Sequence, residues 1–239
     1  MLSGPASCTV DLLNGRIVAG GVEPRLSPLE RSLPVFLGLN PGGATREEIA
    51  RTFYVHANVG AFSAIKVLVY RIRRKLGNSA CILFARGGYA LDHDPTAELR
   101  ALERDVAAAA ACKGPLDEAA RERLEGYRAR LREQRPVVLL DQEWFERLER
   151  QLRHLERAVS VRLADDAHAR RDFPVALDLV SDLIAADPLD EEACEVMIRV
   201  QLALGKRGAA LAEYRRYDDV LQRELGASAP ARLRELLFP

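Results

Sequence analysis

Five apolar residues, Phe62, Ile65, Val69, Ile72 and Leu76, recur at spacings of three, four, three and four. Side chains three and four apart share one face of a helix, so this period commits residues 60–76 to a helix with an aliphatic edge. Gly77 follows as a C-cap. Cys81-Ile82-Leu83-Phe84, a Gly-Gly turn and Tyr89-Ala90-Leu91 then read as a β-hairpin. A helix with one apolar edge needs partners to bury it, and two candidates precede it. Thr45-Arg46-Glu47-Glu48 has the spacing of a capping box and opens a short helix ending near Phe53. Ser27-Pro28 opens an earlier helix through Leu39, with Leu29, Leu33, Phe36 and Leu37 on one side and a kink expected at Pro34. Asn40-Pro41-Gly42-Gly43 stops it. Further upstream, Asn14-Gly15 centres a predicted hairpin between Cys8–Leu13 and Arg16–Ala19.

Charge separates the two parts of the chain. The net formal charge is zero over 239 residues, yet residues 1–92 carry 11 Lys and Arg against 6 Asp and Glu, and the remainder 24 against 29. From Ile49 to Leu91 there is no acidic residue, while Arg51, Lys66, Arg71, Arg73, Arg74, Lys75 and Arg86 all fall inside that window. A solvated face mixes both signs, so a single-sign window implies a polyanionic partner. On the helix over 60–76, the face opposite the apolar stripe carries Ser63, Val67, Tyr70, Arg71 and Arg74, with Lys66 and Arg73 at its flanks. Arg bonds guanine or phosphate, Ser bonds either, and Val meets a thymine methyl. Each Arg taken singly could be a plain solvent contact. Together, with no acidic neighbour, they favour DNA.

Beyond Asp92-His93-Asp94-Pro95 the pattern changes to long helices rich in Ala, Leu, Arg and Glu, broken at Lys113-Gly114-Pro115, near Pro136, near Asp172, at Asp187-Pro188, at Gly205 and at Gly226. The apolar run Val137–Leu140 reads as a loop tucked on the core. Ala176 and Ala210 lie 34 residues apart, the period of tetratricopeptide helix pairs, and Leu183 and Tyr217 keep the same offset. A plain helical bundle competes with that repeat reading. The expected architecture is mainly α: a winged helix-turn-helix domain with an N-terminal hairpin over residues 1–93, then an all-α, tetratricopeptide-like domain over 94–239.

Several function classes lack their residues. Cys8, Cys81, Cys112 and Cys194 are scattered and have no His at ligand spacing, so neither a zinc site nor any other metal is expected. Unclustered cysteines fit a reducing cytosol, although sequence leaves a disulfide open. The first 30 residues lack a continuous apolar core and no run approaches a membrane span, so the chain is expected in the cytoplasm, without membrane contact. No nucleophile elbow, phosphate-binding glycine loop or His cluster supports an enzyme, and no cofactor is expected. His56, His93, His154 and His168 read as packing or surface groups.

Residues 26–92 resemble the DNA-binding domain of OmpR-type regulators, on Ile65 to Gly77, ending Arg71-Ile72-Arg73-Arg74-Lys75-Leu76-Gly77, and on Arg86-Gly87-Gly88-Tyr89-Ala90-Leu91. The resemblance implies that the first block is the recognition helix and the second the wing, with Tyr89 in the core. It makes Arg71, Arg73 and Arg74 DNA contacts, Arg86 the wing contact, and Thr45 the start of a helix whose amides face a phosphate. Residues 96–237 resemble the bacterial transcriptional activator domain of Streptomyces antibiotic regulatory proteins. That resemblance rests on Trp144, the helix Glu146 to Arg157, Ala176, Asp187-Pro188-Leu189-Asp190-Glu191-Glu192-Ala193, Leu204-Gly205-Lys206, Ala210–Tyr214 and Glu224-Leu225-Gly226. The two together imply a transcriptional regulator, an activator that binds double-stranded promoter DNA. Its helical domain would form a homodimer or contact RNA polymerase or another protein. The alternative is a tetratricopeptide-like interaction adaptor whose winged helix does not bind DNA.

Overall fold

The computed structural model describes residues 8–54, 57–77, 81–85, 87–112, 114–133 and 143–238. They form two compact units: residues 1–102 with 130–153, and residues 103–129 with 154–239. The dividing points fall inside three helices, α4 (Thr96–Ala111), α5 (Glu118–Arg132) and α6 (Glu143–Ala169).

The first unit opens with an antiparallel hairpin, β1 (Cys8–Val10) and β2 (Ile17–Ala19), in the register Cys8↔Ala19 to Val10↔Ile17. The hairpin forms where Asn14-Gly15 predicts it, but its strands are shorter. Leu12 and Leu13 leave the ladder and turn into the core, at 3% and 1% exposure. The loop is held by Asp11, whose amide donates to Arg16 O and whose carboxylate accepts the Leu13 N–H.

α1 (Pro28–Gly38) begins in a complete capping box: Ser27 accepts the Glu30 N–H, and Glu30 accepts the Ser27 N–H at 2.8 Å. The helix runs through Pro34 without ending. Proline inside a helix costs about 3 kcal/mol. Leu33, Val35, Phe36 and Leu37 are all buried around it, and each such side chain returns about 1.5–3 kcal/mol. Packing therefore overrides the local cost.

Asn40-Pro41-Gly42-Gly43 turns the chain into β3 (Ala44–Thr45), which leads directly into α2 (Arg46–Phe53). The capping box at Thr45 is present as the spacing requires. α3 (Val59–Leu76) starts at the Asn58 cap, one residue before the expected start, and ends at Gly77 in the left-handed region at φ 64°. β4 (Ile82–Ala85) and β5 (Gly88–Leu91) form the second hairpin, and β3 adds to it in the order β3-β5-β4. Gly88 belongs to β5, paired with Ala85, and not to the turn. The reason is steric: a Cβ on Gly88 would lie 1.9 Å from Ala44 O and 2.5 Å from Thr45 Cα. Gly88→Ala must therefore push β3 off the sheet and displace the entry to α2. We expect it to cost at least the ~1–3 kcal/mol of an overpacked site, read as a fall in the urea midpoint.

The core of this unit collects Leu13, Ile17, Leu33, Leu37, Ile49, Ile65, Ile72 and Ile82, all under 2% exposed. Tyr89 joins it at 6%, edge-on to Phe84 at 5.4 Å. Trp144, at the start of α6, packs edge-on against Phe36 and Phe53, with ring centroids 5.4 and 6.2 Å away.

The second unit contains α7 (Phe173–Ala186), α8 (Glu191–Ala203), α9 (Arg207–Leu225) and α10 (Ala231–Leu237), with the adjoining parts of α4, α5 and α6. Ala176 in α7 and Ala210 in α9 are fully buried, and Ala210 shares one core cluster with Cys194 and Ile198 of α8. Tyr217, the repeat partner of Leu183, is 2% exposed in a cluster with Cys194, Ile198, Leu221, Leu233 and Leu237. The fold is mainly helical with a small N-terminal α+β region, as the sequence implies. The run Val137–Leu140, with Arg86 and His56, lies outside the described residues.

Candidate nucleic-acid interface

α3 supplies the frame of the site. Ile65, Val69, Ile72 and Leu76 are buried as the stripe requires, Phe62 is half-buried, and Ala61 and Leu68 join the buried face. Ser63, Lys66, Val67, Tyr70, Arg71 and Arg74 are exposed together on the other side. Val67 and Tyr70 stand 48% and 64% exposed, which is unusual for side chains of their size and leaves apolar contact area beside the cations. Arg71 and Arg74 form no ion pair with the described residues and line one shallow recess with Lys75 and Glu30.

The basic residues of the acid-free window are not equivalent. Arg73 is half-buried, and its Nε donates to Ile82 O at 3.0 Å, tying α3 to the base of the wing hairpin. Lys75 pairs with Glu30 at 2.5 Å. Sequence distance hid that acid, which arrives from α1, 45 residues upstream. Burial alone would raise the Glu30 carboxyl, but the ammonium of Lys75 and the amide and hydroxyl of Ser27 outweigh it and hold the group below its ordinary 4.5. A lowered folded value contributes stability above pH 4.5 that is lost as pH falls through the folded value. Lys75→Met should therefore destabilise the fold at pH 7, and the gap to the parent should narrow towards pH 3.5, as urea unfolding at the two pH values would show.

Thr45 is exposed, but its groups are committed: its amide and hydroxyl donate to Glu48 Oε2 at 2.7 and 2.8 Å. Glu48 thus closes the capping box on Thr45 itself. Arg46, beside it, is the residue that sequence reasoning missed. Its guanidinium lies 5.5 Å from the Phe62 ring centroid, and its Nε donates to Gly87 O at 3.3 Å, joining α2, α3 and the wing turn. Nothing in its spacing marks it; only the packing of three elements does.

In the second unit, a groove of about 680 Å³ gathers His154, Arg157, Arg162, Asp165, His168 and Arg199. Its cations serve the fold. Arg157 forms a bidentate pair with Asp190 at 2.6 and 2.7 Å, Arg162 caps Ala109 O and Gly114 O, and Arg199 pairs with Asp165 at 2.6 Å. Burial, then the charge of Arg199, lowers the His168 pKa. Among the described residues no group of His, Cys, Asp and Glu could hold a metal ion, and no helix is long and apolar enough to cross a membrane.

The model of the bacterial transcriptional activator domain matches residues 92–237. The chain belongs to that family. The match begins at the end of the wing hairpin, so the activator domain accounts for every helix from α4 onward. Among solved structures, EmbR of Mycobacterium tuberculosis in complex with a low-affinity phosphopeptide superposes with a TM-score of 0.77 at 20% identity. The alignment covers 93% of this chain and 62% of that one, so the likeness is one of fold across both the winged-helix region and the activator domain, and the chain spans less than two thirds of EmbR. No curated protein matches the sequence.

Proposed function

We propose that the chain is a transcriptional regulator, an activator, that binds double-stranded promoter DNA through an OmpR-type winged helix. α3 lies in the major groove, and the wing hairpin reaches the adjoining backbone. The observation that carries this reading is the outward face of α3: Lys66, Arg71 and Arg74 beside exposed Ser63, Val67 and Tyr70, with the aliphatic edge buried behind them. Cations bond phosphate and guanine, while the hydroxyl and aliphatic groups read base edges. Arg86, by the same resemblance, makes the wing contact.

The activator domain, which carries the excess acid, is kept off DNA by its charge and serves protein contact, with a second protomer or with RNA polymerase. Stacked helix pairs offer grooves for such a partner. One lies between α5, α6 and α7, where Ala129, Leu163, Val175 and Leu179 line about 460 Å³ with Glu125 and Asp178.

Fluorescence anisotropy with genomic promoter fragments over a salt series tests the DNA reading. We expect affinity that falls steeply with salt. Affinity absent at every salt concentration would overturn it and favour an adaptor that works through the helix pairs alone.

A further inference from the structure

The groove between α5, α6 and α7 in the second unit has an apolar base and acids without partners. Leu163 of α6 and Leu179 of α7 are buried, at 5% and 6% exposure, and Ala129, Pro174 and Val175 line the groove as exposed residues, Val175 at 45%. Arg128 is held by Asp182 at 3.1 Å and by the Ser160 hydroxyl. Arg170 is held at 2.9 Å by Asp166, which is fully buried. Both cations are thus neutralised inside the domain. Glu125 of α5 and Asp178 of α7 are exposed and have no ion pair or hydrogen bond among the described residues. Two arginines stand against four carboxylates, so the groove holds two negative charges in excess. Each wall also sets an acid one helical turn from an apolar side chain: Glu125 and Ala129 on α5, Asp178 and Pro174 on α7.

We propose that this groove is the docking site for a basic amphipathic helix of a partner protein. An apolar side chain of that helix enters against Leu163, Val175 and Leu179, and a Lys or Arg on either side of it meets Glu125 and Asp178. The proposal deepens the reading that the activator domain serves protein contact, and rests on it. Charge and shape select the occupant. Two acids free on separate walls repel an acidic segment and attract a basic one. Most of the lining is exposed, so the groove is an open trough, whereas a small-molecule site buries about 70% or more of its ligand's surface. A helix needs only one face covered, and its anchors at i, i+3, i+4 and i+7 suit a shallow apolar groove. The acids then fix orientation and exclude wrong partners, while the apolar base supplies the contact area.

The test uses the full chain and a fluorescein-labelled peptide of about 20 residues, long enough to hold a helix, with leucines at i, i+3, i+4 and i+7 flanked by lysines. Fluorescence anisotropy should show saturable, micromolar binding by the parent. Glu125→Lys with Asp178→Lys should weaken it by about tenfold or more, and Val175→Ser by about tenfold. Glu122→Lys with Asp219→Lys makes the same charge change at exposed positions outside the groove and should leave affinity within about twofold. A second peptide with glutamates in place of the lysines should bind the reversed variant and not the parent, a rescue that a damaged groove would not give. Equal binding by parent and reversed variant, or no binding by the parent, would overturn the assignment. So would a parent dimer in sedimentation velocity that the reversed variant loses, since a second copy of this chain would then occupy the groove. A complex with RNA polymerase, or a dimer untouched by the reversal, alongside failure of the peptide would leave protein contact standing and remove only the groove.

Discussion

Changing Arg71 and Arg74 together to alanine is expected to lower affinity for promoter DNA about a hundredfold near 0.1 M salt, and to flatten the slope of log affinity against log salt by about 1.8 units. Both arginines are exposed on the outward face of α3 and unpaired among the described residues, so each guanidinium is available to displace a counterion from the duplex. Arg73→Ala makes the contrast. Its guanidinium is already bonded to Ile82 O, so its loss should weaken binding by loosening the wing while leaving the salt slope nearly unchanged. Circular dichroism on each variant separates a lost contact from a lost fold. Undiminished binding in the double variant would remove α3 from the interface.

The largest effect on stability is expected at Asp190. Its side chain is 1% exposed, accepts both arms of Arg157 at 2.6 and 2.7 Å, and caps α8 by accepting the Ala193 N–H at 3.0 Å. Asp190→Ala removes the cap, worth roughly 1 kcal/mol, and leaves a partly buried guanidinium with Glu192 as its remaining partner. We expect a total loss of about 2–4 kcal/mol, or a fall in Tm of roughly 4–16 °C for a chain of this size. Asp190→Asn keeps the cap and should recover about a third of the loss. Calorimetry of the two variants measures both. A Tm within a degree of the parent for Asp190→Ala would show that the pair and the cap contribute nothing net.

Much of the fold is legible in sequence because local chemistry specifies it. The Thr45 and Glu48 spacing, the Asn14-Gly15 turn, Gly77 and the 3-4-3-4 stripe of α3 each lead to the element they imply. So do the breaks between α7, α8, α9 and α10 and the buried pair Ala176 and Ala210. These depend on backbone geometry and periodicity over a few residues. Where packing competes, local reading fails. Gly88, read as part of the turn, is a strand residue lying against β3, whereas Pro34 stays inside α1, as a helix read through Leu39 has it, with four apolar neighbours buried around it.

By itself, the sequence determined the charge division, the amphipathic face of α3 and the order of helices and hairpins, since each follows from residue type and spacing. Only the tertiary structure decided which cations remain free. It spends Arg73 on Ile82 O, neutralises Lys75 with Glu30 and sets Arg46 against the Phe62 ring and the Gly87 carbonyl. Each of these is a contact between separate elements. A hydrogen bond or ion pair forms over about 3 Å of space, and sequence separation carries no measure of that distance.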